Sequence, residues 1–81
     1  MEYIIINCPH CDEKIIISKN ELNCCIFRHG IYKTSYEQID SHLNKLECDR
    51  LKNNNLIYGC GKPFRIFQKN NIYLSEKCDY I

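Results

Sequence analysis

This 81-residue chain contains seven cysteines, and their number and spacing make them its main candidates for metal-binding or redox chemistry. A disulfide framework and a metal site both explain so many thiols in a small domain. The number is odd, the N-terminus Met1-Glu2-Tyr3 does not look like a secretory signal, and Cys8-Pro9-His10-Cys11 has two residues between its thiols. That spacing lets both sulfurs converge on one tetrahedral Zn²⁺. We therefore expect bound zinc rather than disulfides.

The same tetrapeptide pattern occurs at the redox centre of thioredoxin-like oxidoreductases. There the second cysteine lies in the first turn of a helix, whose N-terminus lowers the thiol pKa. Here Cys11 is followed by Asp12-Glu13-Lys14 and then by three isoleucines, a sequence typical of a strand. The Asp, Glu and His residues also form no recognisable acid–base motif. We expect a protein that is not an enzyme.

Cys60 is the expected third ligand. It lies in Gly59-Cys60-Gly61, where the flanking glycines let the backbone curl around a bound thiolate. The segment resembles the second half of a zinc-ribbon knuckle, which ordinarily reads Cys-x-x-Cys-Gly. The first cysteine of such a knuckle would fall at position 57, which is Ile57. The fourth ligand must therefore come from elsewhere.

We favour Cys48 as the fourth ligand, because a helix-borne thiolate suits zinc beside three other thiolates. His42, near the start of the same predicted helix, is the alternative, and Cys24 and Cys78 remain open. Adjacent strand residues point to opposite faces, so Cys24 and Cys25 are not expected to share an ion. A second site built from Cys24, His29 and Cys78 is a further hypothesis. Otherwise we expect His29 to be structural and His10 to face water.

The elements that must position these residues can be read from the hydrophobic pattern. Short β-branched and aromatic runs predict strands at Tyr3–Asn7, Lys14–Ser18, Cys24–Lys33 (or two strands bent at Gly30), Phe64–Gln68 and Asn71–Leu74. A helix is predicted from Asp40 or Ser41 to Asn55, with Leu43, Leu46 and Leu51 on one face. Asn70-Asn71 tolerates positive φ and predicts a hairpin turn. The expected fold is a small α+β, ribbon-like zinc domain over residues 1–81, in the order β-β-β-α-β-β.

Composition limits the class of function. The net charge of +1 lacks the strongly basic signature of a nucleic-acid-binding domain. The isoleucine runs are three residues long, and no apolar run approaches the length needed to span a membrane. One hairpin does carry Lys62, Arg65 and Lys69 around Phe64 and Phe67, and cations interleaved with aromatic rings suit single-stranded nucleic acid.

Several segments together resemble small zinc-ribbon-like proteins of giant double-stranded DNA viruses of amoebae, of the mimivirus and marseillevirus kind. They are Cys8–Cys11, Glu21–Cys24, Phe27–Gly30, Gly59–Phe64 and Cys78–Ile81. The resemblance covers nearly the whole chain. It implies a protein that is packaged in virions or lies in the host cytoplasm, where viral factories form. It also implies no established enzymatic activity, and it does not identify the metal ligands.

Two functions follow as hypotheses. The first is a zinc-stabilised, non-catalytic interaction module that binds itself as a homodimer, or another viral or host protein. Edge strands such as Tyr3–Asn7 and Ile72–Leu74 could pair across a two-fold axis. The alternative is a nucleic-acid-binding or transcription-accessory zinc ribbon, with weak affinity carried by Lys62, Arg65 and Lys69.

Overall fold

The computed structural model describes residues 2–81, and within them it contains seven short strands, one α-helix and a 3₁₀ turn. In chain order the elements are β1 (Tyr3–Asn7), β2 (Lys14–Ser18), the 3₁₀ turn (Lys19–Glu21), β3 (Ile26–Arg28), β4 (Ile31–Tyr32), α1 (Lys45–Asn53), β5 (Ile57–Tyr58), β6 (Pro63–Lys69) and β7 (Ile72–Lys77). All strand pairs are antiparallel. The predicted small α+β class is therefore confirmed. The order is β-β-β-β-α-β-β-β, two strands more than expected.

Both additional strands form beside Gly30. This glycine divides the predicted third strand into β3 and β4, and β4 pairs with β5. A Cβ atom at position 30 would lie 2.9 Å from the Ile57 side chain and 3.0 Å from that of Ile39. The absence of a side chain thus lets the chain bend closely over these two residues.

The β1–β2 hairpin turns one face of each isoleucine run inward. Its register pairs Ile4 with Ile17 and Ile6 with Ile15, and these four side chains are buried. Ile5 pairs with Ile16 on the opposite face, and both remain more than 60% exposed. Strand alternation therefore explains the buried half of each run and leaves an apolar pair at the surface.

A second sheet has the strand order β3-β6-β7. The turn between β6 and β7 has positive φ at Asn70 and Asn71, as predicted from the Asn-Asn pair. Phe64 is buried in β6 and stacks on Phe27 of β3, with ring centroids 5.7 Å apart. Together with the inward face of the hairpin, these rings form the larger hydrophobic core.

The helix α1 begins later than predicted, because Asn44 rather than Asp40 or Ser41 caps it by accepting a hydrogen bond from the amide of Glu47. Its buried face consists of Cys48 and Leu51, which join Ile39 and Ile57 in a second, smaller core. The prediction that Leu46 shares a face with Leu51 is wrong, since Leu46 is 82% exposed and Leu51 is buried.

No helix in residues 2–81 has the length and apolar character needed to cross a membrane.

Candidate metal centre

Four side chains from three separate parts of the chain converge at one point. They are Cys8, Cys11, His29 and Cys60, and the Sγ and ring-nitrogen atoms that could bind a metal all lie within 4.8 Å of one another. Cys8 is buried, His29 and Cys60 are half-buried, and Cys11 is exposed. This Cys₃His arrangement can hold a metal ion.

Three of the distances between these atoms match the edges of a tetrahedron around zinc. Bond lengths of about 2.3 Å to sulfur and about 2.0 Å to nitrogen predict edges of about 3.8 Å for S–S and about 3.5 Å for S–N. The Cys8 and Cys60 sulfurs are 3.7 Å apart. Nδ1 of His29 lies 3.4 Å from the Cys11 sulfur and 3.5 Å from that of Cys60. These three distances fit a four-coordinate ion, and the remaining pairs of ligand atoms lie within 4.8 Å.

The turn after β1 positions the first two sulfurs. The amide of Cys8 donates to the carbonyl of Glu13 at 2.8 Å, and the amide of Asp12 donates to the carbonyl of Cys8 at 2.9 Å. Asp12 has a φ of 64°, a left-handed conformation that aspartate tolerates better than most residues. These bonds close the loop so that Cys8 and Cys11 face the same point.

The other two ligands are held together by backbone hydrogen bonds between their loops. The amide of Gly61 donates to the carbonyl of His29 at 2.7 Å, and the amide of His29 donates to the carbonyl of Lys62 at 3.1 Å. Gly59 has a φ of 100°, and a Cβ atom there would lie 2.6 Å from the His29 carbonyl oxygen. Only glycine allows the two loops to approach this closely.

His10 connects the two halves of the site. Its Nε2 lies 2.6 Å from the carbonyl oxygen of Pro63, to which the ring donates a hydrogen bond. The side chain is half-buried, whereas the sequence predicted that it would face water. The bond links the turn that carries Cys8 and Cys11 to the start of β6, next to Cys60.

Burial sets the protonation of these ligands. It raises the pKa of the Cys60 thiol to about 12 and lowers the pKa of His29. A low histidine pKa favours the neutral imidazole, which is the form that binds metals. A buried thiolate needs a nearby cation, and a metal ion at the centre of the group would supply it.

The structure places His29, rather than Cys48 or His42, in the fourth position of the group. Cys48 is only 1% exposed, and its thiol donates to the carbonyl oxygen of Leu43 at 3.6 Å. The helix turns Cys48 inward together with Leu51, so it packs as a small apolar residue of the second core. Burial also raises the pKa of the Cys48 thiol.

His42 lies apart from the group as well. Its exposed ring contacts the sulfur of Cys24 and the backbone oxygen of Ile81. Cys24 is exposed and Cys78 is half-buried. Within the described part of the chain no second cluster of three candidate ligands forms, so Cys24, His29 and Cys78 do not make an additional site.

Strand pairing is the signal that could have identified His29. It follows β3 directly, and the register places Arg28 opposite Pro63 at the start of β6. An antiparallel pair of these strands necessarily brings the residue after β3 beside the segment before β6, which contains Cys60. Local spacing along the sequence gives no indication of this pairing.

The expected nucleic-acid-binding residues are only partly available. Arg65 forms an ion pair with Glu76 on the neighbouring strand. Phe64 is 1% exposed and cannot stack on a base. Lys62 and Lys69 remain exposed. Phe64 therefore points into the core, whereas half-buried Phe67 lies on the same face of β6 as Arg65 and Lys69.

No protein-family model matches the chain, and neither the curated proteins nor the solved structures yielded a match. The resemblance to virus-encoded zinc-ribbon-like proteins stays a prediction.

Proposed function

We propose that this chain is a zinc-stabilised, non-catalytic interaction module. The observation that carries the proposal is the convergence of Cys8, Cys11, Cys60 and His29, whose ligand atoms lie within 4.8 Å of one another, with three of the distances matching a zinc tetrahedron. Three thiolates and an imidazole are soft and borderline ligands that favour Zn²⁺ over the oxygen-seeking Mg²⁺ and Ca²⁺.

A structural role for the zinc follows from the number of protein ligands. Four side chains fill a tetrahedral coordination sphere, whereas catalytic zinc sites retain an open position for water or substrate. With Cys8, Cys11, His29 and Cys60 all bound, no position is left for a reacting molecule. The filled coordination sphere supports a non-catalytic role for the domain.

The zinc would add a link between two parts of the fold that also share the larger hydrophobic core. Cys8 and Cys11 belong to the β1–β2 hairpin, while His29 and Cys60 lie beside the β3–β6 pair. One ion therefore links the hairpin to the second sheet. Binding free energies of about 10–16 kcal/mol are found for structural zinc in small peptides, which is comparable to the whole stability of a small domain.

The exposed face of the β1–β2 hairpin is the interaction surface that we propose. Ile5 and Ile16 form a cross-strand pair that is more than 60% exposed on both sides. Ile72 and Leu74 add exposed apolar area on β7, which is an edge strand of its sheet. Apolar groups on strands are typical of a surface covered by a partner. A second copy of the chain is the partner we propose, and a location in virions or viral factories rests on the resemblance alone.

Nucleic-acid binding is the weaker alternative for this domain. Arg65 is neutralised by Glu76, and Phe64 is buried. Two exposed lysines, Lys62 and Lys69, remain on a chain with a net charge of +1. These contacts favour the interaction module over the nucleic-acid-binding ribbon.

Metal content and molar mass of the purified protein test both parts of the proposal. We expect one zinc per chain by elemental analysis, and light scattering should give twice the 9.7 kDa chain mass. Ile5→Lys with Ile16→Lys should yield a monomer that keeps its zinc. Lys14→Glu, an exposed change at the first residue of β2, serves as the control. Protein without zinc would refute the metal site. A zinc-loaded monomer would refute only the homodimer.

A further inference from the structure

Cys24 and His42 form a second thiol–imidazole contact, away from the metal centre. The Cys24 sulfur lies 3.4 Å from Nε2 of His42. The other ring nitrogen, Nδ1, lies 3.0 Å from the backbone oxygen of Ile81, which accepts a hydrogen bond from it. The amide of His42 in turn donates to the carboxylate of Asp40 at 2.7 Å. The imidazole is thus held on one side and presents its other nitrogen to a solvent-exposed thiol.

The surroundings favour the charged form of both groups. A backbone hydrogen bond at Ile26 and the His42 ring lower the pKa of the Cys24 thiol, against the opposing effect of burial. The pKa of His42 is raised, first by the hydrogen bond to the backbone of Ile81 and then by the Cys24 thiol. The Arg28 guanidinium on β3 acts in the opposite direction. Both directions increase the fraction of thiolate paired with imidazolium near neutral pH.

We propose that Cys24 is a modification site, a nucleophilic thiolate that reacts with peroxides while His42 supplies the proton. The sulfur attacks one peroxide oxygen, so an S–O bond forms and the O–O bond breaks. Sulfur gives up two electrons and the peroxide is reduced. The departing hydroxide takes the proton from Nε2 of the His42 imidazolium and leaves as water. The products are a Cys24 sulfenic acid, water and a neutral imidazole.

The other thiols outside the metal centre lack this arrangement. Cys25 is half-buried, and its thiol donates towards the carbonyl oxygen of Leu22 at 3.9 Å. Cys78 is half-buried, and burial raises the pKa of its thiol. Both can therefore serve as internal standards for the reactivity of Cys24 in the same molecule.

Site-resolved mass spectrometry of the full chain tests the proposal. Hydrogen peroxide is the probe, and dimedone traps the sulfenic acid. At pH 7 we expect Cys24 to be labelled at least about tenfold faster than Cys25 or Cys78. His42→Ala should slow labelling of Cys24 at least about tenfold, since it removes both the proton donor and the stabilised thiolate. Ser41→Ala, at the adjacent position, should leave the rate unchanged.

Iodoacetamide separates the two contributions of His42. Iodide leaves without needing a proton, so alkylation reports only the thiolate. His42→Ala should therefore slow alkylation of Cys24 by only about threefold, which is less than it slows the reaction with peroxide. If His42 only supports the local structure, His42→Ala should slow both reactions equally, and that result would contradict its role as proton donor.

A measurement on the unmodified sequence does not depend on how the variants fold. Because the Cys24 pKa is lowered, its alkylation rate should rise with pH at a lower midpoint than that of Cys78. Equal midpoints, or equal peroxide reactivity of the three thiols, would overturn the proposal. So would a His42→Ala protein, folded by circular dichroism, in which Cys24 reacts at the original rate.

Discussion

Replacing His29 by alanine should reduce the zinc-dependent part of the stability, whereas replacing Cys48 should not. His29 contributes the nitrogen vertex of the tetrahedron, at 3.4 Å and 3.5 Å from the sulfurs of Cys11 and Cys60. Loss of a residue that only supports a metal ligand typically weakens binding 10- to 100-fold, so loss of the ligand itself should cost at least about 100-fold. By mass action that equals about 2.7 kcal/mol of lost stabilisation at saturating zinc.

The corresponding change in melting temperature is large enough to measure. A change of 1 kcal/mol moves the Tm of a domain of this size by about 4–8 °C, so His29→Ala should lose about 10–20 °C of the increase that zinc gives. Cys48→Ala removes one buried sulfur and lowers the Tm through packing alone. The difference in Tm between zinc-loaded and chelator-treated protein should therefore shrink in His29→Ala and stay constant in Cys48→Ala. Differential scanning calorimetry of both variants, each with and without zinc, measures that difference.

The opposite result would refute the assignment. If Cys48→Ala loses the zinc-dependent increase and His29→Ala keeps it, the helix supplies the fourth ligand. His42→Ala is the matched control for removing an imidazole, because the ring lies outside the group of four ligands. Loss of the zinc-dependent increase in Tm in His42→Ala would also contradict the assignment of His29.

Three further predictions concern the supports of the site, the core and the surface. Gly59→Ala should weaken zinc binding at least about tenfold in a chelator competition, because its Cβ would collide with the His29 carbonyl; unchanged affinity would contradict this. Phe64→Ala should lower the free energy of unfolding by about 3–5 kcal/mol in urea titrations, and a loss below 1 kcal/mol would mean that this ring is not in the core. Binding to single-stranded DNA should show a salt slope of only about −1.4, from two phosphate contacts by Lys62 and Lys69. A steeper slope in fluorescence titrations, lost when both lysines become alanine, would favour the nucleic-acid ribbon.

Local patterns predicted much of this fold. The isoleucine runs predicted both strands of the first hairpin with their observed bounds, because the preference of β-branched residues for strands acts within five residues. The Asn70-Asn71 turn also follows from local backbone preference. The start of the helix could not be predicted from local sequence, because Asp40, Ser41 and Asn44 are all good caps and tertiary packing selects among them.

Local spacing also indicated three members of the metal group but not the fourth. Cys8 and Cys11 are paired by their separation, and Cys60 is marked by its glycines. His29 joins them only through the pairing of β3 with β6, which connects residues more than thirty positions apart. Cys48 was favoured for its thiol, yet the helix directs it into the second core. Long-range pairing of this kind is not encoded in any short segment of the sequence.

X-ray absorption at the zinc edge tests the central claim most directly, because it counts ligand types around the ion. The site made by Cys8, Cys11, Cys60 and His29 predicts three sulfurs at about 2.3 Å and one nitrogen at about 2.0 Å. The outer-shell scattering of the imidazole ring should disappear in His29→Ala, where water can fill the open position, and persist in His42→Ala. Four sulfurs around the metal in the unmodified protein, or an imidazole signal that survives loss of His29, would contradict the Cys₃His centre.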